Sequence, residues 1–267
     1  MMLHELVNPV VTIAQDAGAA ILKVYDTDFK VQEKQDESPL TQADLAAHRC
    51  IVAGLSALTP DIPLLSEEGG MPEFGVRSRW NRYWLVDPLD GTREFVNRNG
   101  EFTVNIALIE KGKPVLGVVF VPVTGITYIG CEGMGTRRMD AAGSIETIRV
   151  SAVSARPVRV VGSRSHRGSS LDGFLAALGE YEMVPMGSSL KFCVIAEGGA
   201  DVYPRLGPTS EWDTAAAQAV VEQAGGTVVT LDGKPMSYNG KSAILNPHFL
   251  VAGPTDIDWL SLVENTD

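Results

Sequence analysis

The chain has few cysteines and few basic residues. Its 267 residues include three cysteines, Cys50, Cys131 and Cys193, which lie far apart and form no C-x-x-C pair. Neither a disulfide framework nor a thiolate zinc site is expected from such a set. Lysine and arginine number 22 against 33 acidic residues, a formal net charge of −11. This charge opposes general binding to a nucleic-acid polymer or to an anionic membrane surface, because both repel a negative protein.

Long apolar runs are also missing. No segment approaches the ~20 apolar residues of a membrane-spanning helix, and the first residues lack the basic-then-apolar order of an export signal. We therefore expect a cytoplasmic protein without a transmembrane segment, and peripheral association with the inner membrane stays open. The oligomeric state stays open between monomer and homodimer.

The pattern of apolar residues divides the chain into two parts. Helices are predicted over residues 8–25, with Asn8 as N-cap, and from Thr41 onward, where Thr41 and Asp44 have capping-box spacing. Further helices are predicted over 170–178, 189–197 and 213–224. Strands are predicted over 29–34, 63–66, 83–86, 102–109, 115–121, 126–130, 158–163, 181–184, 201–203 and 227–230. An exposed loop is predicted over 35–39. The order predicts an N-terminal α+β part, 1–150, and a C-terminal α/β part, 151–267. Hairpins are predicted at 111–113 and at the glycine-rich segment 130–135, whose order does not match a phosphate loop.

Acidic residues gather where predicted strands end. The segment Asp87-Pro88-Leu89-Asp90-Gly91-Thr92 directly follows an apolar strand. Two carboxylates that leave a strand together repel each other unless a cation lies between them. An all-oxygen group without histidine or cysteine favours Mg²⁺ or a similar hard cation. An Asp-Pro turn that caps a helix explains the same residues without a metal.

Two further acidic segments follow the same pattern. Glu67 and Glu68 come after the strand 63–66, and Asp213 stands where the helix 213–224 begins. A surface turn explains the first pair by itself, and helix capping explains Asp213. Taken together, the three segments supply about as many carboxylates as a site for two hard cations requires.

Four segments in this order are similar to motifs of the inositol-monophosphatase-like family of magnesium-dependent, lithium-sensitive phosphatases. They are Ser38-Pro39-Leu40-Thr41-Gln42-Ala43-Asp44, Ser66-Glu67-Glu68-Gly69, Trp84 to Phe95, and Glu211-Trp212-Asp213-Thr214-Ala215-Ala216. The resemblance extends over nearly the whole chain. It implies an α+β / α/β fold, a layered α/β/α/β/α sandwich with the active site between two sheets.

The resemblance also implies the metal ligands and the catalytic residues. One Mg²⁺ would be held by Glu67, Asp87 and the Leu89 carbonyl, and a second by Asp87, Asp90 and Asp213. A third, weaker Mg²⁺ can bind near Glu67 in such enzymes. Thr92, together with Glu67 or Asp44, would orient and deprotonate the attacking water. For Asp44, helix capping remains an equal alternative.

Other segments are similar to the 3′(2′),5′-bisphosphate nucleotidase branch of that family. They are Asp90 to Phe95, Gly162 to His166, Gly187 to Phe192 and Asp201 to Arg205. The implied reaction converts adenosine 3′,5′-bisphosphate, a by-product of sulfate activation, to AMP and phosphate. The implied substrate contacts are Leu89, Asp90, Gly91, Thr92, His166, Ser189, Lys191, Arg205 and Asp213. Cations at Lys191 and Arg205 suit a second phosphate better than a neutral polyol, although most such residues are solvated surface cations.

Two other functions compete with this interpretation. An inositol-1-phosphate or broad sugar phosphatase would share the fold, and a non-catalytic cation-binding protein would share the acidic residues. The chain contains no EF-hand loop, and Thr92 stands where an attacking water needs orienting. The sequence therefore favours an enzyme with a small phosphorylated nucleotide as its substrate.

Overall fold

A computed structural model of the chain describes residues 1–27, 31–33, 39–163 and 169–264. The helices in these residues are α1 (Leu3–Tyr25), α2 (Gln42–Leu58), α3 (Phe74–Arg77), α4 (Thr92–Val96), α5 (Ser169–Leu178), α6 (Leu190–Ala196), α7 (Glu211–Gln223) and α8 (Ser261–Glu264). The strands are β1 (Val31–Glu33), β2 (Pro39–Thr41), β3 (Leu64–Ser66), β4 (Arg82–Asp90), β5 (Thr103–Glu110), β6 (Lys113–Val121), β7 (Ile126–Cys131), β8 (Gly135–Met139), β9 (Ile145–Thr147), β10 (Val158–Ser163), β11 (Tyr181–Met186), β12 (Val202–Arg205), β13 (Thr227–Thr230) and β14 (Phe249–Ala252).

These elements form two large sheets. The first has the order β3-β4-β5-β6-β7-β8-β9, and all its neighbouring strands are antiparallel except β3 and β4. The second has the order β11-β10-β12-β14-β13, in which β11, β10 and β12 are parallel and β14 is antiparallel to both its neighbours. Both predicted hairpins are confirmed, since β5 pairs with β6 and β7 pairs with β8 in antiparallel register.

The helices and sheets alternate in five layers. Helices α1 and α2 bury an apolar core against the outer face of the first sheet. Helices α6 and α7 lie between the sheets, and α5 and α8 flank the outer face of the second sheet. Each face of both sheets is therefore covered by helices, which explains the nearly continuous apolar runs in their central strands. The predicted α/β/α/β/α sandwich is confirmed.

Several predicted boundaries are wrong. Helix α1 begins at Leu3, five residues before Asn8, and the Met2 backbone N–H donates to the Glu5 carboxylate at 2.7 Å at that end. Pro39 lies in β2 and not in the predicted loop 35–39. The rest of that loop, and residues 29, 30 and 34 of the strand predicted before it, lie outside the described residues. Strands β8, β9 and β14 were not predicted. The division of the chain at residue 150 stays a prediction.

Strand β4 continues through the acidic segment that was predicted to be a turn. Asp87 pairs with Asn105 of β5 and Asp90 pairs with Thr103, with a register shift between the two pairs. Pro88 falls inside this bulge, where the ladder does not need the N–H that proline lacks. The aspartates are consequently held by the sheet itself.

Helix α7 lies unusually close to the first sheet. Gly117 of β6 faces Gly130 of β7, and a Cβ on Gly117 would be 2.1 Å from the Ala216 carbonyl oxygen. A Cβ on Gly130 would be 2.4 Å from the Ala219 carbonyl oxygen. Two glycines thus let the helix backbone rest on the strands. This contact sets the position of Asp213 in the first turn of α7. No helix in the described parts of the chain is long and apolar enough to span a bilayer.

We expect Gly117→Ala to destabilise the protein by about 1–3 kcal/mol, because the added methyl group collides with helix backbone that cannot rotate away. Any activity that depends on Asp213 should fall as well, since α7 carries this residue. Urea denaturation measures the first effect. Gly75→Ala is the matched control, because a Cβ there meets no atom within 4 Å. Equal stability of the two variants would contradict the close packing of α7.

Candidate active site

The predicted acidic residues converge at one end of the first sheet. Asp87 and Asp90 lie on β4, and the Leu89 N–H donates to the Asp87 carboxylate at 3.1 Å. Glu67 directly follows β3, which runs parallel to β4, and its N–H donates to the Val86 carbonyl at 3.2 Å. Two neighbouring parallel strands therefore deliver Glu67 and Asp87 to the same edge of the sheet.

Asp213 reaches this edge from the opposite side. It lies in the first turn of α7, and its carboxylate accepts the Ser210 N–H at 3.0 Å. The capping role that the sequence suggested for Asp213 is thus real, but its charge also raises the pKa of Asp87. The adjacent Glu211 is fully buried and bonded to Asn239 and Lys241, so it belongs to the packing around the helix end.

The electrostatics show how strongly the carboxylates interact. Burial, and then the charges of Glu67, Asp90, Asp213 and Asp44, raise the pKa of Asp87 well above its ordinary value. Burial, and then Asp90 and Glu67, do the same to the pKa of Asp213. Burial also raises the pKa of Asp90 to about 6, although the Lys191 charge and the Ser189 N–H oppose the shift. Ionisation of these carboxylates therefore costs free energy unless a cation lies among them.

The donor chemistry of this group fits a hard cation. Its members, Glu67, Asp87, Asp90 and Asp213, offer only carboxylate oxygens, which Mg²⁺ prefers. Within residues 1–27, 31–33, 39–163 and 169–264, no three histidine, cysteine or carboxylate side chains stand in a preformed cage. The fit therefore rests on the mutual electrostatic shifts and on the type of donor.

Asp44, Gly91 and Thr92 border the carboxylates. Asp44 is fully buried in the first turn of α2, and its charge contributes to the raised pKa of Asp87. Gly91 has φ +90°, and a Cβ there would be 3.2 Å from the Ser188 Cβ. This glycine allows the sharp turn from β4 into α4, so that Thr92 begins the helix immediately beyond Asp90.

A cavity of about 140 Å³ opens beside the carboxylates. Of the predicted site residues, it is lined by Asp90, Gly91, Ser189, Lys191, Arg205 and Asp213. Its remaining lining comes from Arg93, Glu94, Ser163, Ser188, Phe192, Tyr203, Thr209 and Thr214. His166 lies outside the described residues. A larger cleft of about 610 Å³, near β13, contains none of the predicted site residues, and its lining includes the exposed ion pair of Lys234 with Asp232.

Lys191 is a buried cation in this cavity. Its ammonium donates to the Ser188 carbonyl at 2.5 Å and lies 5.7 Å from the centre of the Tyr203 ring. Burial lowers the pKa of Lys191 to about 8, and the neighbouring Asp90 charge limits the fall. The side chain is thus still mainly protonated at neutral pH. Arg205, at the end of β12, is half-buried and donates to the Pro208 carbonyl at 2.6 Å.

Sequence reasoning missed the polar layer beneath the carboxylates. Thr103 and Asn105 lie on β5 and are fully buried, and both bond the Ser189 hydroxyl. Ser189 was predicted as a substrate contact; its N–H donates to Asp90 at 2.5 Å. The signal was present, because Thr103 and Asn105 are polar residues at a spacing of two in an otherwise apolar strand.

The fold and the acidic site are those of one family of phosphatases. The Inositol monophosphatase family matches residues 2–256, and the chain belongs to this family of metal-dependent phosphatases. The resemblance inferred from the motifs is thereby confirmed.

Individual members of the family are similar to this chain to different degrees. The chain is 52% identical to the 3′(2′),5′-bisphosphate nucleotidase CysQ of Salmonella typhimurium over 248 residues, which are 92% of this chain and 99% of that protein. The crystal structure of CysQ from Bacteroides thetaiotaomicron has a similar fold, with a TM-score of 0.83 over 94% of this chain and 97% of that chain. The two sequences are 40% identical. The inositol monophosphatase of Anabaena, at 22% identity and a TM-score of 0.75 over 99% and 97% of the two chains, shares the fold.

We expect Asp87→Asn to stabilise the metal-free protein at pH 7 while abolishing activity. The folded state raises the pKa of Asp87, so it binds the proton more tightly than the unfolded chain does. Stability therefore falls as the pH rises above about 4, the ordinary pKa of the carboxyl group. Asparagine cannot ionise and escapes this loss, so the advantage of the variant should shrink toward pH 4.

Urea denaturation in EDTA at several pH values measures this difference. Asp232→Asn is the control of opposite sign, because hydrogen bonds from Lys234 and Thr230 lower the pKa of the exposed Asp232 to about 2. That variant should gain no stability at pH 7. An Asp87→Asn protein less stable than wild type at pH 7 would contradict the electrostatic account.

Proposed function

We propose that this protein is a Mg²⁺-dependent phosphomonoesterase that hydrolyses adenosine 3′,5′-bisphosphate to AMP and phosphate. One observation carries the proposal: Lys191, a buried cation, lines the same cavity as the acidic residues Asp90 and Asp213. Such a cavity can hold one phosphate at the carboxylate side and a second at the cationic side. The names of the CysQ relatives support the same substrate class.

The acidic residues would hold the metal. We assign Glu67, Asp87 and the Leu89 carbonyl to one ion, and Asp87, Asp90 and Asp213 to a second, with a weaker third ion beside Glu67. When bound, Mg²⁺ neutralises the phosphate oxygens and lowers the pKa of a coordinated water. The charge cluster that is costly in the metal-free protein is thereby stabilised.

The other residues bind and orient the reactants. We assign to Thr92 the orientation of the attacking water, and to Glu67, or alternatively Asp44, the removal of its proton. Leu89, Asp90 and Gly91, at the turn from β4 into α4, would contact the substrate. Lys191 and Arg205 would bind the phosphate that is not cleaved, with Ser189 in the cavity wall and His166 near the nucleotide.

The two rivals differ in what the cavity must recognise. The hydroxyl groups of inositol carry no charge, whereas Lys191 and Arg205 present positive charges, which suit a second phosphate better than a neutral polyol. A protein that merely binds cations needs no cation-lined cavity next to its ligands. Both comparisons favour an anionic substrate with two phosphates.

A side-by-side assay tests the proposal. Phosphate release from adenosine 3′,5′-bisphosphate and from inositol 1-phosphate should be measured with Mg²⁺ and with EDTA. We expect Mg²⁺-dependent release with a higher kcat/KM for the bisphosphate. A preference for inositol 1-phosphate would favour the first rival, and no release from either substrate would favour the second.

We expect Asp90→Asn and Asp213→Asn each to remove most of the activity while the fold stays intact. Each substitution removes one formal charge from the proposed site of the second ion. Steady-state kinetics at saturating Mg²⁺ and circular dichroism check the two halves of this statement. A kcat close to that of wild type in either variant would refute the ligand assignment.

Lys191→Met and Arg205→Ala should selectively impair the bisphosphate reaction. A charge-assisted hydrogen bond to the second phosphate contributes about 1.5–3 kcal/mol, so losing it lowers kcat/KM by roughly 10- to 150-fold. Hydrolysis of inositol 1-phosphate should hardly change, because that substrate lacks the second phosphate. Methionine keeps the length of the buried Lys191 stem.

Lys113→Met serves as the control at an exposed lysine. Equal losses on both substrates in the Lys191 or Arg205 variant would instead mean that these residues support the metal site or the fold.

A further inference from the structure

Asn105 has a hydrogen-bonding group that the structure leaves without a partner. Its side chain is fully buried in β5, and its carboxamide oxygen accepts the Ser189 hydroxyl at 2.9 Å. Its Nδ2 group is also buried and has no acceptor among the described residues. Because a buried donor without an acceptor costs free energy, such a group is normally bonded. The orphaned amide therefore needs an explanation.

The neighbouring strand carries a carboxylate that is suited to accept this donor. Asn105 is the direct antiparallel partner of Asp87. Side chains of such partners lie on the same face of a sheet, with their Cβ atoms about 4.5–5.5 Å apart. One Asp87 oxygen accepts the Leu89 N–H, which leaves the second oxygen for another donor. The opposite orientation of the amide would turn its carbonyl oxygen toward the Asp87 carboxylate, where two acceptors repel each other.

Ser189 connects this pair to the other aspartate of β4. Its N–H donates to the Asp90 carboxylate at 2.5 Å, and its hydroxyl bonds both Asn105 and Thr103. The segment before α6 thus reaches across from the helix layer to β5. One residue holds Asp90 directly and orients the amide that faces Asp87.

We propose that Asn105 is a positioning residue of the metal site, and that its Nδ2 group donates to the Asp87 carboxylate when this carboxylate binds the cation. The inference rests on the proposed function, because it requires that the carboxylates bind Mg²⁺. Outer hydrogen bonds of this kind fix the orientation of a ligand before the metal arrives. Asn105 touches neither substrate nor metal.

Asn105→Leu tests the proposal, because leucine has nearly the same shape and no donor. Isothermal calorimetry without substrate should show Mg²⁺ binding that is roughly 10- to 100-fold weaker than in wild type. The Tm of Asn105→Leu in EDTA should stay close to that of wild type, because removal of the buried unpaired donor offsets the lost hydrogen bond from the Ser189 hydroxyl.

Thr127→Val is the matched control. Thr127 is fully buried in β7 of the same sheet, and its hydroxyl also has no partner in the described residues. This variant should bind Mg²⁺ as wild type does. If Asn105→Leu does not fold, Asn105→Ala is measured by the same titration.

The outcomes separate this inference from the proposed function. Mg²⁺ affinity of the Asn105 variant within twofold of wild type would overturn the positioning role alone. A loss of affinity matched by a large fall of Tm in EDTA would also overturn it, since Asn105 would then be a structural residue. A wild-type protein that binds no Mg²⁺ would overturn the proposed function and this inference together.

Discussion

The crowding of buried negative charge at the end of β4 is the constraint on which the rest of the structure depends. Asp87 is held by the Leu89 N–H, Asp90 by the Ser189 N–H, and Asp213 by the Ser210 N–H. These bonds fix the orientation of the carboxylates but do not neutralise their charge, since all three keep raised pKa values. Protonation or a bound cation removes that cost, so the electrostatics of this group favour a cation where the carboxylates are ionised.

The packing of the layers delivers the carboxylates to one point. Glu67 and Asp87 leave neighbouring parallel strands, and Asp213 comes from a helix between the sheets. The glycines of β6 and β7 let α7 rest on the first sheet, and its alanines add little thickness at the contact. Because protein interiors are close-packed, a change of one methyl group at this contact shifts the helix turn that carries Asp213.

The cationic side of the cavity depends on the second sheet and on the segment before α6. Lys191 is held through the Ser188 carbonyl, and Ser188 itself has a left-handed backbone with φ +44°. A non-glycine residue in this conformation is strained and persists only where its surroundings enforce it. The neighbouring Ser189 provides that enforcement through its bonds to β4 and β5. The cation and the carboxylates are thus positioned by the same short turn.

The sequence by itself determined the family, because the order of its motifs is a local property, and the resemblance to that family implied the five-layer fold and the candidate acidic residues. The sequence did not determine that β4 continues to Asp90, since a Pro and a Gly in one segment predict a turn and only pairing with β5 shows a bulged strand. The start of α1 was missed for a similar reason, because Asn8-Pro9 is a good local start signal. The contacts of Asn105 and Ser189 were visible only in the tertiary structure, because they join residues more than 80 positions apart. Hydrogen bonds across such distances leave no periodic pattern in the chain.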